Sequence, residues 1–243
     1  TYPLAVSRFE QLFTPRRIPP GLINLADESR LIRLLALASV AFRKNTGSVP
    51  ALAFAVKHGN ACGAGFKFDD PGECLGALQK MIEGDPESIM GGYVITNFPI
   101  DHHLALTLLR YRMKSDAKRL LDGVLAPSFD HAAIEVLTSG SKPVRLFVNP
   151  ALADRDNIQL DTEPVRVPLV GGEWILQNPP TFVPILDAAE NPDLTCHGPV
   201  INERQRRDLI LAFAVCAESN SNTISIVKDG RLIGNGIGQT KRV

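Results

Sequence analysis

Phe54-Ala55-Val56-Lys57-His58-Gly59-Asn60-Ala61-Cys62-Gly63 is the stretch that decides the fold. The apolar run from Ala51 to Val56 stops at a Lys-His pair, and small residues follow, with Gly59 and Gly63 bracketing Asn60. A short apolar run bounded in this way predicts a buried strand, Leu52–Val56, that carries two titratable side chains at its C-terminal end and then gives way to a loop. Open α/β sheets place their ligands at that end of the strands. A cation beside an imidazole disfavours a second positive charge on the ring, and a neutral imidazole can act as a general base. The competing reading is a surface Lys next to a strand-end His with no chemistry, so the pair needs support from the rest of the chain.

Outward from this strand, helices and short strands alternate. Before it, Leu31, Ile32, Leu34, Leu35, Leu37 and Ala38 follow a helical period with Asp27 as the cap. After it, Pro71-Gly72 introduces an amphipathic segment through Cys74, Leu75, Ala77, Leu78 and Met81, and Gly91-Gly92 opens a strand over Tyr93–Thr96. Leu104 to Met113 reads as a helix, Leu120 to Ala126 as a strand stopped by Pro127, and Pro143 to Val148 as another strand. This alternation predicts βαβ units and a layered α/β fold. Residues 1–20, with Arg8, Arg16, Arg17, Pro15, Pro19 and Pro20, read as an irregular arm or a short helix ending in a loop, which leaves 21–243 as the domain. Asn149–Asp161 and Pro179–Pro199 read as loops or weak strands, so a substructure boundary would fall near 149–200. Glu203 to Glu218 is the strongest helix, with Leu209, Ile210, Ala212, Phe213 and Cys216 as its apolar face. A hairpin of Thr223–Val227 and Leu232–Gly234 follows, turning at Lys228-Asp229-Gly230. No internal repeat stands out.

Composition narrows the function classes. The 243 residues are 44% hydrophobic and 21% charged, with 26 basic against 26 acidic side chains. A net charge of zero gives no global basic field to attract nucleic acid or an anionic membrane, and no apolar run reaches membrane-span length. The opening Thr1-Tyr2-Pro3-Leu4 has no initiator Met and no signal-peptide architecture, and Gln239–Val243 carries no stop signal, so both ends read as cut from something longer. Cys62, Cys74, Cys196 and Cys216 are widely spaced, which predicts reduced thiols in a cytoplasmic protein. No metal site is expected. His58 and Cys62 lie four apart, but a zinc deaminase needs His-x-Glu and a later Pro-Cys-x-x-Cys, and neither occurs. His102-His103 after Asp101 reads as a solvated helix start, His131 and His197 as loop residues, Cys62 as a small packing residue, and Trp174 as a core or interface residue.

A second constellation lies near the C-terminus. Ser221-Asn222 stands between a helix and a strand, and Gly234-Asn235-Gly236-Ile237-Gly238-Gln239-Thr240-Lys241-Arg242 follows. The alternating glycines let the backbone approach a ligand or another strand closely. Together, Val56–Gly63 and Ser221-Asn222 with Gly-x-Gly-x-Gly-Gln-x-x-Arg at 234–242 resemble the two signatures of the AICAR transformylases, the formyltransferase domains of the bifunctional purine-biosynthesis protein. Between the two signatures, Asp85-Pro86-Glu87-Ser88 with Gly91-Gly92, Asp122–Pro127, and Gly171-Gly172 with Leu176-Gln177 follow in the family's order, and Asn24 and Asp27 match its early Asn/Asp segment.

The resemblance implies transfer of a formyl group from 10-formyltetrahydrofolate to the 5-amino group of AICAR. It implies His58 as the base, Lys57 as a group that tunes His58 or stabilises the oxyanion, and Asn222 as a group that positions His58 or the amine. Asp122 would contact folate, and Gln239 and Arg242 would hold nucleotide or support the site. Asn60 would shape the loop, and Gly236 and Gly238 would flank bound substrate. The family fold implied is a duplicated cytidine deaminase-like α/β unit, here with its second half incomplete, and its active sites form at a homodimer interface. The sequence departs from the family in four places. The Arg-Tyr-Gly-x-Asn-Pro-His-Gln motif has no match, Ser7-Arg8-Phe9-Glu10 being the nearest position. Asn220 replaces a basic residue and Ala61 replaces a common Pro. The chain ends before the Ser-Asp-Ala-Phe-Phe-Pro-Phe-like folate segment. These departures keep a second function class open: a non-catalytic nucleotide-binding or dimerisation module.

Overall fold

The computed structural model describes residues 2–15, 20–68, 71–114, 117–195 and 197–240. Its elements run β1 (Glu10–Phe13), α1 (Leu22–Thr46), β2 (Ala51–Lys57), β3 (Asn60–Lys67), α2 (Glu73–Gly84), β4 (Tyr93–Thr96), α3 (His102–Arg110), β5 (Gly123–Ala126), α4 (His131–Thr138) and β6 (Arg145–Val148). They continue with β7 (Val165–Pro168), β8 (Trp174–Gln177), α5 (Glu203–Ala217), β9 (Ile224–Lys228) and β10 (Arg231–Gly236). Eight strands form one mixed sheet in the order β1-β6-β5-β4-β2-β3-β10-β9. Strands β4, β5 and β6 are parallel, joined by α3 and α4, and the other neighbours are antiparallel. The α/β reading stands, with crossover units confined to the β4–β6 half.

Alternation along β2 explains the layering. Leu52, Phe54 and Val56 face a core built with α1 and α5, while Ala51, Ala53 and Ala55 face a second core built with α2, α3 and α4. A strand covered on both faces reads as an unbroken apolar run. The loop expected after it is instead β3. His58 and Gly59 form a two-residue turn, with φ 55° and 76°, and Lys57 pairs with Asn60. Of the two glycines that suggested a loop, Gly59 makes the turn and Gly63 serves packing, a Cβ there lying 2.7 Å from the Met81 carbonyl oxygen; Gly65 on the same strand does likewise. A Cβ at Gly65 would lie 2.4 Å from the Ala77 carbonyl oxygen and the Met81 nitrogen, so α2 can sit this close only over a bare backbone.

Other expectations are corrected by packing. Helix α1 begins at Leu22, where the Asn24 side chain accepts from the Gly21 N–H at 3.2 Å, so Asp27 is an interior helix residue and not the cap. The buried face of α5 is Ile210, Leu211, Ala214 and Val215, and Leu209 is exposed, because α5 rests on both α1 and β9. The N-terminal segment supplies a strand, Glu10 pairing with Val148 on β6. Arg16, Arg17 and Pro19 lie outside the described residues. Helix α4, opened by exposed His131 and capped by Asp130, was not evident in the sequence pattern. Strands β7 and β8 pair only with each other, and Trp174 on this ribbon is 61% exposed and so is not a core residue. Cys62, Cys74 and Cys216 are free thiols, and Cys196 lies outside the described residues.

The fold also contains a repeat. Val56-Lys57-His58-Gly59 with Gly63, and Val227-Lys228-Asp229-Gly230 with Gly234, occupy equivalent places in two hairpins. Asp229 and Gly230 have φ 54° and 77°, the same positive pair as His58 and Gly59 and the pattern of tight hairpin turns. Each hairpin follows a helix that contributes one aspartate to it. Asp27 of α1 accepts from the His58 and Gly59 N–H groups, and Asp208 of α5 accepts from those of Asp229 and Gly230. The hairpins meet through β3 and β10, and β9 forms the sheet edge beyond them.

Candidate functional site

Lys57 and His58 close β2 at the end of the sheet where β4 and β5 begin, because β2 runs antiparallel to β4 (Val56 opposite Tyr93) and β4 runs parallel to β5 (Tyr93 opposite Gly123). The rule that ligands sit at the carboxyl ends of parallel strands therefore does not apply here. The site is built from the turn of one hairpin, the start of α1, the Asp85–Gly92 segment, the residue before β5 and the loop after α5.

His58 is exposed on the turn, and its main chain is held on both sides. Its N–H donates to Asp27 Oδ2 at 3.2 Å, and the Gly59 N–H donates to Asp27 Oδ1 at 2.6 Å. The Asn60 side-chain amide donates to the His58 carbonyl at 3.1 Å, while its oxygen accepts from the Asn220 N–H at 3.2 Å. Lys57 is half-buried and its Nζ donates to the Met90 carbonyl at 2.8 Å. Asn235 donates to the Ala61 carbonyl at 3.0 Å and accepts from the Ser225 hydroxyl. These bonds tie the Lys-His hairpin to the C-terminal segment.

A cavity of about 370 Å³ opens here, with Lys57, His58, Asn60, Cys62, Asp85 and Asn235 among its lining residues. Burial pushes the Cys62 thiol up to about 12, Lys57 only partly opposing it. The thiol therefore stays protonated and is a poor nucleophile. Burial opposes ionisation of Asp85, yet the Ser88 hydroxyl and the Ser88 and Glu87 N–H groups hold its carboxyl below the usual range. It is a fixed anion at the cavity wall.

Asp122 lies in a second cavity, about 300 Å³, with Met90, Gly91, Lys142 and Arg145. The Met90–Gly92 strand lead-in connects residues of the two cavities through its carbonyls. Lys57 bonds Met90 from one side, and the Asp122 N–H donates to the Gly92 carbonyl at 3.0 Å from the other. Asn24 Nδ2 donates to Asp122 Oδ2 at 3.5 Å. One carboxylate oxygen of Glu28 is buried without a hydrogen-bond partner. Burial pushes Glu28 up to about 7, Arg145 pulling it back and Asp27 adding to the rise.

The C-terminal residues divide. Asn222 does not line the His58 cavity. Its amide donates to the Gln239 carbonyl at 3.0 Å, and the Gln239 N–H donates back to the Asn222 carbonyl. The Gln239 side chain is exposed and turns onto the Ile237 carbonyl. Gly236 pairs with Ile224 across the hairpin. A Cβ at Gly234 or Gly236 would meet nothing closer than 3.8 Å, so neither glycine is needed for close approach, whereas Gly238 has φ 61° and its N–H donates to the Asn220 carbonyl. Arg242 lies outside the described residues. One cavity thus gathers Lys57, His58 and Asn60, with Asn222 two residues beyond the Asn60–Asn220 bond and Asp122 in the second cavity. Asp27 and Asp85 fall in segments that match the family but are not assigned to the site by sequence, and Asn235 is not singled out at all. For Asp27 the signal was present: it stands one helical repeat before Leu31 on the buried face, where a lone carboxylate needs a partner.

Among the described residues no group of His, Cys, Asp or Glu could hold a metal ion, and no helix is long and apolar enough to cross a membrane.

Comparison with known proteins adds to this geometry. The family described as AICARFT/IMPCHase bienzyme matches residues 18–243. The bifunctional purine biosynthesis protein PurH of Anoxybacillus flavithermus is 35% identical over 196 residues, covering 80% of this chain and 34% of that protein. The PurH proteins of Oceanobacillus iheyensis and Rhodospirillum rubrum are each 31% identical, over 79% and 80% of this chain and 33% and 32% of their own lengths. The chain spans about a third of the length of these relatives.

Proposed function

Because the chain belongs to the AICARFT/IMPCHase bienzyme family, we propose that it serves purine biosynthesis by carrying the formyl-transfer chemistry, from 10-formyltetrahydrofolate to the 5-amino group of AICAR. The observation that carries this reading is the presentation of His58 and Lys57 at one polar cavity, with the His58 main chain held at both its N–H and its carbonyl.

The reaction needs two things. The AICAR amine is a weak nucleophile because its lone pair is delocalised into the imidazole ring, so a base must take its proton as it attacks the formyl carbon. Negative charge then develops on the formyl oxygen and needs a fixed positive group. In our reading His58 accepts the proton as the new C–N bond forms. Lys57, which keeps two ammonium hydrogens beyond the one given to Met90, faces the oxyanion. Collapse of the tetrahedral intermediate breaks the bond to folate N10, and the proton held by His58 passes to that nitrogen. Asp122, in the second cavity, contacts the folate. Asn60 holds the turn; Asn222 would position the amine only once its amide leaves the Gln239 carbonyl, and Gln239 and Arg242 hold nucleotide or support the site, with Gly236 and Gly238 beside it. The donor is a substrate; no metal takes part in this scheme.

The helix–hairpin repeat supports a cytidine deaminase-like unit whose opening recurs at α5–β10. The apolar β7–β8 ribbon, with Val165, Val167, Trp174, Ile175 and Leu176 exposed, supports a homodimer in which a second copy covers it. A second reading is favoured by one observation: the Asn222 amide is turned onto Gln239 and away from the His58 cavity. On that reading the chain binds nucleotide or dimerises without turnover.

The test is an assay of the protein as encoded in full, with AICAR and 10-formyltetrahydrofolate, following formyl-AICAR and its ring-closed product separately. The proposal expects formyl-AICAR to accumulate. Binding of AICAR without turnover would favour the second reading, and ring closure alone would replace both.

A further inference from the structure

We propose that Asp27 is a positioning residue for the reaction, holding the His58 imidazole at the cavity through the two main-chain N–H groups of its turn. The inference rests on the formyl-transfer reading. Among the described residues nothing hydrogen-bonds the His58 ring nitrogens, so the place of the ring is set through its backbone. That backbone is unusual: His58 has φ 55°, a conformation that a side-chain-bearing residue adopts only where the surroundings impose it. The imposing group is a carboxylate only 4% exposed, which accepts from His58 at 3.2 Å and from Gly59 at 2.6 Å, one oxygen for each. No ion pair to Asp27 occurs among the described residues, so these two N–H groups are its principal compensation.

The molecule supplies its own control. Asp208 holds the second turn in the same way, accepting from Asp229 at 2.9 Å and Gly230 at 2.7 Å. There the residue matching His58 is Asp229, paired on the surface with Arg204 at 3.1 Å. The two turns differ at the next position. Asn60 reaches back to the His58 carbonyl at 3.1 Å, whereas its counterpart Arg231 points away to Glu83 at 2.8 Å. Carboxylate capping of the turn is thus common to both hairpins, and restraint of the central residue on both sides belongs to the His58 turn.

The experiment compares Asp27→Asn and Asp27→Ala with Asp208→Asn and Asp208→Ala in the protein as encoded in full. It measures kcat, KM, the urea midpoint and the ring signals of isotope-labelled histidine, with His58 assigned by its loss in His58→Ala. Displacing a catalytic group by an ångström costs about 10²-fold, and Asp27→Ala is expected to lower kcat on that scale with KM unchanged. Asp27→Asn, which retains one acceptor, should fall between it and the wild type. Both should shift the His58 ring signals and leave the other histidines alone. The Asp208 variants should lose stability comparably, with kcat and the His58 signals unchanged. Should Asp27→Ala fail to fold, Asp27→Asn decides. Equal effects of the two aspartates on kcat, or unmoved His58 signals in the Asp27 variants, overturn the proposal. Full turnover by His58→Ala would instead remove the formyl-transfer role of His58, leaving the ring signals to judge whether Asp27 holds it.

Discussion

Replacing Glu28 with Gln should make the protein more stable above neutral pH and flatten its response to pH. Glu28 is 2% exposed on α1, with one carboxylate oxygen unpartnered. Burial lifts its carboxyl from 4.5 to about 7, with Arg145 opposing and Asp27 reinforcing the rise. The folded-state value lies above the unfolded one, so the contribution of Glu28 to stability is complete below the unfolded value and is lost as pH rises through about 7. At ~1.4 kcal/mol for each pH unit separating the two values, the wild type should lose about 3 kcal/mol between mildly acidic and mildly alkaline pH. Glu83, held low by Tyr111 and Arg231, and Asp85, held low by Ser88 against its burial, act in the opposite sense. Their contributions are lost only as pH falls through the carboxylate range, below this window. Urea unfolding across the window should move the wild-type midpoint down by roughly 1 M, while Glu28→Gln barely moves, so that its advantage grows from the acidic end and is complete above neutrality. Parallel pH profiles for the two proteins would refute the reasoning.

Three further outcomes follow from the packing. Gly65→Ala places a methyl 2.4 Å from the Ala77 oxygen and the Met81 nitrogen and should cost ~1–3 kcal/mol or more by overpacking; an unchanged melting temperature would contradict the close β3–α2 approach. Asn60→Ala removes the bonds to His58 and Asn220; it should cost about 1–2 kcal/mol and lower turnover, and a fully active variant would show that the link between the hairpin and the α5–β9 loop is dispensable. Trp174→Asp with Leu176→Asp, both on the exposed ribbon, should give a folded monomer in sedimentation, its melting lowered only by the lost association; a wild-type monomer would refute the proposed dimer.

The sequence was most legible where a strand is buried on both faces. Ala51–Val56 announced β2, and the breaks at Gly91-Gly92 and Pro127 bounded β4 and β5. It was least legible where glycine had two meanings. Gly63 signals a loop by composition, but here it and Gly65 admit α2 against the sheet, which only the tertiary contact reveals. The repeat was visible as Val-Lys-x-Gly in two places, yet the differing central residue and the unequal lengths of α1 and α5 masked it. At the site, Lys57, His58 and Asn60 were readable because they cluster in sequence. Asp27 reaches the same turn from 31 residues away, and a single carboxylate on a helix gives no local sign of the main-chain groups it will meet. Asn222 shows the opposite failure: a residue singled out from its motif whose amide is spent on Gln239.

The most direct measurement is steady-state formyl transfer by His58→Ala beside the wild type, with folding of both verified by their melting curves. The account predicts normal melting, because His58 is an exposed ring on a turn held through its backbone, and turnover at the background level. A His58→Ala protein that formylates AICAR at the wild-type rate would contradict it.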